Sequence, residues 1–443
     1  LYTCVQLNGA EPKKLFELNS EKMKVKILKI MSKGFLIILI LSISYFIGFS
    51  QDIRSMQLPD VLRLNNGTLI HNSHQWITKR RPEILEVFKQ QMYGQSPERP
   101  EKMIFRLIEK DCRALNGIAT RKQIRVLFDG RTEGPYMDIL LYLPNQVKHP
   151  VPLFVGYNYA GNQSISNDTA INITRSWISN KTKGVINNQA TEATRGMAAS
   201  AWPVETILKR GYGLATIYAG DIDPDFDDGF KNGIQASYPE LQKKEDNFST
   251  MAAWAWGLSR ALDYFETDKA INNKKVIVYG TSRMGKATIW AGATDQRFAM
   301  VISNESGAGG AKLFHHLQGE NIAQICKNFP HWFCHNFRQY AGKDSILPFD
   351  QHMVLALVAP RPLYVASAQG SYITDSYGEF LSTKYAEPVY RLFHNKGLTL
   401  KEMPAIDHPV FGQIGYHNRS GGHDILPYDW EQFLRFVDIY LHR

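Results

Sequence analysis

From about residue 151 onward, short continuous apolar runs alternate with longer segments whose apolar residues recur every three or four positions. Residues 151–156, 212–218 (YGLATIY), 275–279 (KVIVY), 298–303 and 363–366 are runs of the first kind. Their lack of polar alternation predicts strands buried on both faces. Residues 249–265 place Ala, Leu and Trp at helical spacing, and residues 428–441 predict a last helix. Buried strands alternating with helices predict an α/β fold, a three-layer αβα sandwich around a mostly parallel sheet. Upstream, residues 103–107, 123–128 and 136–143 are short apolar runs with turn punctuation, read as antiparallel edge strands. Residues 161–200 are polar and rich in Asn, Thr and Ser, too long for a simple connection; loops of that size are usually functional or disordered. No internal repeat or Pro/Ser-rich linker interrupts residues 51–443, which are expected to form one domain with inserted loops.

The first fifty residues read as an address. Lys24, Lys26, Lys29 and Lys33 precede an apolar run of 14 residues, 35–48, followed by Gly48-Phe49-Ser50. This is the pattern of a secretory signal peptide cleaved before Gln51. As a helix the run would span only ~21 Å, short of the ~30 Å hydrocarbon core, so no stable membrane anchor is expected. A secreted or periplasmic protein follows.

The net charge of +9 changes little. Beyond residue 50 the chain carries 44 basic against 39 acidic side chains, with no basic run longer than Lys79-Arg80-Arg81, which excludes a nucleic-acid partner. Cys112, Cys326 and Cys334 remain beyond the leader, and the last two are close enough in sequence to bridge. His315, His316, His331 and His335 lie nearby, but no metal-site spacing occurs; no metal and no cofactor are expected. Asp221-Ile222-Asp223-Pro224-Asp225 lacks the Gly and Glu of a calcium loop, which have Phe226 and Asn232 in their places.

The candidate chemistry centres on residues 275–286, KVIVYGTSRMGK. A buried strand ends at Gly280, and Ser282 stands on a sharp turn into a helix. That is the context of a nucleophile elbow at the C-terminal edge of an α/β-hydrolase sheet, although the spacing is Gly-x-Ser-x-x-Gly. A nucleophile needs a base and a group to orient it. His423, in Gly421-Gly422-His423-Asp424 just before the last helix, is the candidate base; His408 and His417 compete with it. Two acids are available: Glu305, after the strand following the elbow helix, and Asp375, which could equally cap the next helix.

Gly280-Thr281-Ser282-Arg283-Met284-Gly285-Lys286 resembles the signature of the glucuronoyl esterases, carbohydrate esterase family 15. The likeness continues through Tyr218–Pro224, Glu305-Ser306-Gly307-Ala308-Gly309-Gly310, Leu347-Pro348-Phe349-Asp350-Gln351-His352, Ala359-Pro360-Arg361-Pro362 and Gly422-His423-Asp424. Thr281 stands where fungal members carry a disulfide-bonded Cys, so the chain is similar to the bacterial branch. Ser371 and Ile373 replace a second acid and a Trp of some bacterial members, leaving Glu305 as sole acid.

The resemblance implies a serine esterase acting through an acyl-enzyme on (4-O-methyl-)glucuronate esters, such as lignin–glucuronoxylan cross-links. Ser282 would be the nucleophile, His423 the base and Glu305 its orienting acid, with Arg283 on the oxyanion. Lys286 and Glu320 would contact the sugar, and Trp332 would pack against it or belong to the core. Arg283 and Lys286 in the first turn of a helix oppose its macrodipole, a conflict that an anionic or oxygen-rich ligand would resolve. Competing readings are an acetyl-xylan-type esterase or serine peptidase on the same fold, and a non-catalytic carbohydrate-binding relative. The expected partner is a glucuronoxylan or lignin–carbohydrate ester, met by a monomer.

Overall fold

Twelve strands lie among the described residues of a computed structural model, residues 56–441 except 149. They are β1 (Ile104–Ala114), β2 (Ala119–Leu127), β3 (Tyr136–Pro144), β4 (Val151–Asn158), β5 (Val185–Ile186), β6 (Gln189–Ala190), β7 (Gly213–Tyr218), β8 (Ile271–Thr281), β9 (Met300–Asn304), β10 (Leu363–Ala368), β11 (Val410–Phe411) and β12 (Ile414–Arg419). Ten of them form one sheet in the order β1-β2-β3-β7-β4-β8-β9-β10-β12-β11. From β7 to β12 all neighbours run parallel, whereas β1, β2 and β3 add an antiparallel edge and β11 closes the other end. The αβα class and the antiparallel edge are therefore those the hydrophobic pattern predicts. The leader expected at residues 1–50 lies outside the described residues. Residues 58–443 cluster as one compact unit.

Helices cover both faces because the strands are apolar on both. Ile277 and Tyr279 of β8 face a cluster that includes Trp430, Phe433 and Phe436 of the last helix, α4 (Pro427–Leu441). On the opposite side α1 (Thr250–Phe265) is buried along its whole length and packs against α2 (Arg283–Thr294). Ser249 caps α1 by accepting from the Ala252 amide. The third helix that matters for the site is α3 (Ser376–Leu392).

Parallel register does the positioning. Thr281 of β8, Asn304 of β9, Ala366 of β10 and His417 of β12 stand in one row across the sheet. The residues that follow, Ser282 and Glu305, therefore leave adjacent strands at the same height, and Arg419 ends β12 two residues on. All emerge at the C-terminal edge, where α/β sheets bind ligands. Residues 161–200 form short turns and the β5–β6 hairpin. Asp221 ties this segment to the sheet edge by accepting from Ser176 Oγ (2.6 Å) and from the Asp138 amide (3.0 Å). Among the described residues no helix is long and apolar enough to cross a membrane. Cys112, Cys326 and Cys334 are all free, so the Cys326–Cys334 bridge considered from spacing does not form.

Candidate active site

Ser282 sits between β8 and α2 with φ 56° and ψ −129°. This region is unfavourable for a residue with a Cβ and marks functional turns. The turn closes through the Ser282 amide on Asn304 O (2.9 Å) and the Gly285 amide on Ser282 O (2.9 Å). A side chain at position 280 could not be accommodated, since its Cβ would lie 2.4 Å from Met284 O. That close approach explains the glycine before the serine.

Glu305 also has positive φ, 44°, and is fully buried. Its amide donates to Ala366 O (2.7 Å), pinning it to the end of β10. One carboxylate oxygen, Oε2, faces His423 Nδ1 at 2.9 Å; the other, Oε1, accepts from Arg419 Nη2 at 2.5 Å and from the Asp424 amide at 3.3 Å. The structure thus brings His423 and Glu305 together. Asp375 is engaged elsewhere: it caps α3 through the Gly378 amide (3.1 Å) and pairs with His316 Nδ1 (2.5 Å). Of the competing histidines, His417 is buried between Tyr364 Oη and Asp429, and His408 bonds Ile406 O on the surface.

Ser282, Arg283 and His423 line one cleft of about 520 Å³. Its far wall comes from the long polar insertion and its flanks: Trp177, Ile178, Met197 and Trp202, joined by Tyr218 and Ile425. Tyr159 closes the elbow side, its hydroxyl donating to Thr281 O (2.5 Å).

Behind Arg283 lies a charged cluster. Arg283 Nη1 meets Asp225 Oδ2 at 3.1 Å, and its Nε is buried with no hydrogen-bond partner. Asp225 also accepts from Trp332 Nε1 (2.8 Å) and faces His331 Nε2 (3.1 Å). Burial alone would raise the Asp225 pKa, but His331 and Arg283 hold it below the usual range. Trp332 is 4% exposed, stacked on Phe329 at 3.8 Å, with Arg283 and Lys286 above its ring at 5.8 and 5.6 Å. Lys286 Nζ donates to Ser306 O (2.7 Å) and Ala308 O (2.5 Å) and lies 3.9 Å from Glu320. Burial pushes the Lys286 pKa down to about 8, against the pull of Glu320 and Glu379.

A ligand is the expected counterpart of the two cations at the start of α2. The structure corrects this, because Asp225, Glu320 and two backbone carbonyls already offset them. Trp332 lies under Arg283 and Lys286, and Glu320 faces Lys286; none of Lys286, Glu320 and Trp332 lines the cleft. Three of the four histidines near the cysteines are paired with carboxylates (His315 with Asp350, His316 with Asp375, His331 with Asp225), while the His335 ring lies against Phe230, and no group with metal-holding geometry exists among the described residues.

Sequence reasoning missed Arg419 and the pairing of Asp225, and for residues 161–200 it left open whether the segment is functional or disordered. Asp225 belongs to an acidic stretch weighed only as a calcium loop. Arg419 stands four residues before His423 in a segment that looks like surface loop, with nothing in its neighbours to announce burial.

The sequence profile described as glucuronyl esterase, fungi, matches residues 213–393. Carbohydrate esterase MZ0003, from an unknown prokaryotic organism, is 45% identical over 398 residues, which cover 88% of this chain and 92% of that protein. A structure described as a promiscuous esterase of carbohydrate esterase family 15, from a marine bacterial metagenome, superposes with a TM-score of 0.82 at 45% identity, covering 87% of this chain and 98% of that one. A glucuronoyl esterase from Solibacter usitatus gives a TM-score of 0.82 at 43% identity, covering 86% and 97%.

Proposed function

The chain belongs to the glucuronoyl esterases of carbohydrate esterase family 15, and from that membership we propose that Ser282, His423 and Glu305 hydrolyse esters of glucuronic acid through an acyl-enzyme. It is a carboxylic ester hydrolase. Ser282 Oγ attacks the ester carbonyl while His423 takes its proton through Nε2. Glu305, on Nδ1, fixes the tautomer and stabilises the imidazolium. The oxyanion meets the amide of Arg283, the residue after the nucleophile, together with the Arg283 guanidinium. Such donors, already in place, are each worth ~3–4 kcal/mol of barrier. His423 then protonates the departing alcohol, and water releases the uronate by the reverse sequence.

One observation carries the reading: His423, paired with the buried Glu305, shares a cleft with a strained serine, beside a cluster holding two cations. The Arg283 guanidinium is held beside the serine by Asp225 through Nη1, with its Nε buried. Acetyl transfer and peptide cleavage call for no such cluster. An intact serine, histidine and acid speak against a binding-only relative. The sugar would lie toward Arg283, Lys286, Glu320 and Trp332, and the alcohol toward the apolar wall. Lignin–glucuronoxylan esters are the proposed natural partner, met by a secreted or periplasmic monomer; the basic and apolar pattern before residue 50 supports export.

Incubation with the methyl ester of glucuronate tests this reading. Methanol release by the wild type and its loss in Ser282→Ala are expected, whereas equal release by the variant would overturn the mechanism.

A further inference from the structure

Arg419 does not line the cleft, yet it bonds both Glu305 and the backbone of the loop that carries His423. Its guanidinium is 1% exposed, and all of its N–H donors are engaged. Nε lies 2.9 Å from both oxygens of Asp429 on α4. Nη1 donates to Ser420 O and Gly422 O, each at 3.0 Å. Nη2 donates to Glu305 Oε1 (2.5 Å) and Asp424 O (2.7 Å). The loop that carries His423 is therefore wrapped around this one group, which also holds the carboxylate that orients His423.

Building on the serine esterase reading, we infer that Arg419 is a positioning residue that sets both the placement and the basicity of His423. Placement follows from the carbonyls of residues 420, 422 and 424, which bracket His423 on either side. Basicity follows from the division of Glu305. With Oε1 on a guanidinium, part of its negative charge is drawn away from the imidazolium that forms on Oε2.

Other charges face the pair. Asp429 offsets Arg419 from α4 and is itself bonded by His417 of β12. Glu379 of α3 reaches the Glu305 turn through the Gly307 amide (2.8 Å). Asp407 holds the Ser420 amide (3.1 Å), Asp424 adjoins His423, and Arg283, Asp223 and Asp225 share its cleft. Of these, Arg419 bonds Glu305 directly and Asp429 acts on it through Arg419, and the two carry opposite signs.

That opposition supplies the test. The rate of Ser282 labelling by a fluorophosphonate is measured against pH alongside ester hydrolysis, so that it reads the Ser–His–Glu set without depending on the sugar. Only neutral His423 can accept the serine proton, so the acid limb of the profile marks its pKa. Arg419→Gln should move that limb to higher pH and Asp429→Asn to lower pH, each by on the order of half a unit. Arg419→Lys keeps the charge but not the fork; its limb should stay in place while kcat falls about 10- to 100-fold with KM unchanged. A merely structural Arg419 would lower melting temperature and kcat together with no limb displaced, and that result overturns the proposal. If Arg419→Gln does not fold, an unmoved limb in Asp429→Asn overturns it equally. A wild type that the probe does not label removes the nucleophile, and the proposal with it. A labelled wild type inactive on glucuronate esters refutes only the substrate reading.

Discussion

Two residues with side chains, Ser282 and Glu305, hold left-handed or strained backbone at the ends of neighbouring strands, a conformation that costs on the order of 1–3 kcal/mol each. Each is held there by a backbone hydrogen bond to the next strand, so the sheet stabilises what the turns alone would not. Glu305→Gln should reduce kcat by about 10⁴-fold, because the amide can present the wrong partner to Nδ1. Asp375→Asn should leave kcat nearly unchanged, since Asn caps α3 as well as Asp does and only the pairing with His316 is weakened. Steady-state kinetics on both variants separates the two acids. Lys286 holds the carbonyls that follow Glu305 as well as facing Glu320, so Lys286→Ala should depress kcat in addition to raising KM for the sugar. With its pKa lowered to about 8 by burial, Lys286 is charged below that pH and neutral above it. KM should therefore rise as pH passes 8, and Lys286→Arg should carry the rise to higher pH. The placement of Ser282 and His423 was legible from the residues because their local contexts, a strand–turn–helix and a glycine loop before a helix, are encoded in consecutive positions. Arg419 and Asp225 were not, because their meaning lies in partners far away in sequence.

At the scale of elements, the continuous apolar strands announced themselves, and the last parallel strand did not. β12 reads Ile-Gly-Tyr-His-Asn-Arg, and it is buried because its polar side chains find partners: His417 with Tyr364 and Asp429, and Arg419 with Glu305 and Asp429. A hydrophobicity pattern cannot show satisfied polar groups. Helix α3 carries a similar buried group, Glu379, whose carboxyl accepts from Ser367 Oγ (2.6 Å) and the Gly307 amide. Burial pushes its pKa up to about 8 despite those bonds. The folded state then keeps a proton that the unfolded chain releases above about 4.5, so this group makes stability fall as pH rises from 4.5 to 8. Glu379→Gln, which mimics the protonated carboxyl, should flatten the decline in melting temperature between pH 5 and pH 8. An unchanged decline would show that other groups cause it. The insertion forms the cleft wall through Trp177, tilted against Phe226 at 4.4 Å, and Met197. Trp177→Ala should raise KM for esters of bulky aromatic alcohols by several-fold more than for methyl esters.

Over the whole molecule, the parallel sheet serves to bring three separate chain segments, near residues 282, 305 and 423, to one edge. Their order along the chain, serine, acid, histidine, follows from the strand order, which places β9 between β8 and β10 and β12 beyond. The described residues hold this arrangement without a disulfide, so a reducing agent should leave the melting temperature unchanged. The central claim is that the cation cluster beside Ser282 selects a glucuronate acyl group. The most direct measurement is kcat/KM on a benzyl glucuronate ester against a simple acetyl ester, in the wild type and in Arg283→Ala. A preference for the glucuronate ester of on the order of 10²-fold or more, collapsing mainly through kcat in Arg283→Ala, is the predicted result. Comparable values on the two esters, or an Arg283→Ala variant that keeps the preference intact, would contradict it.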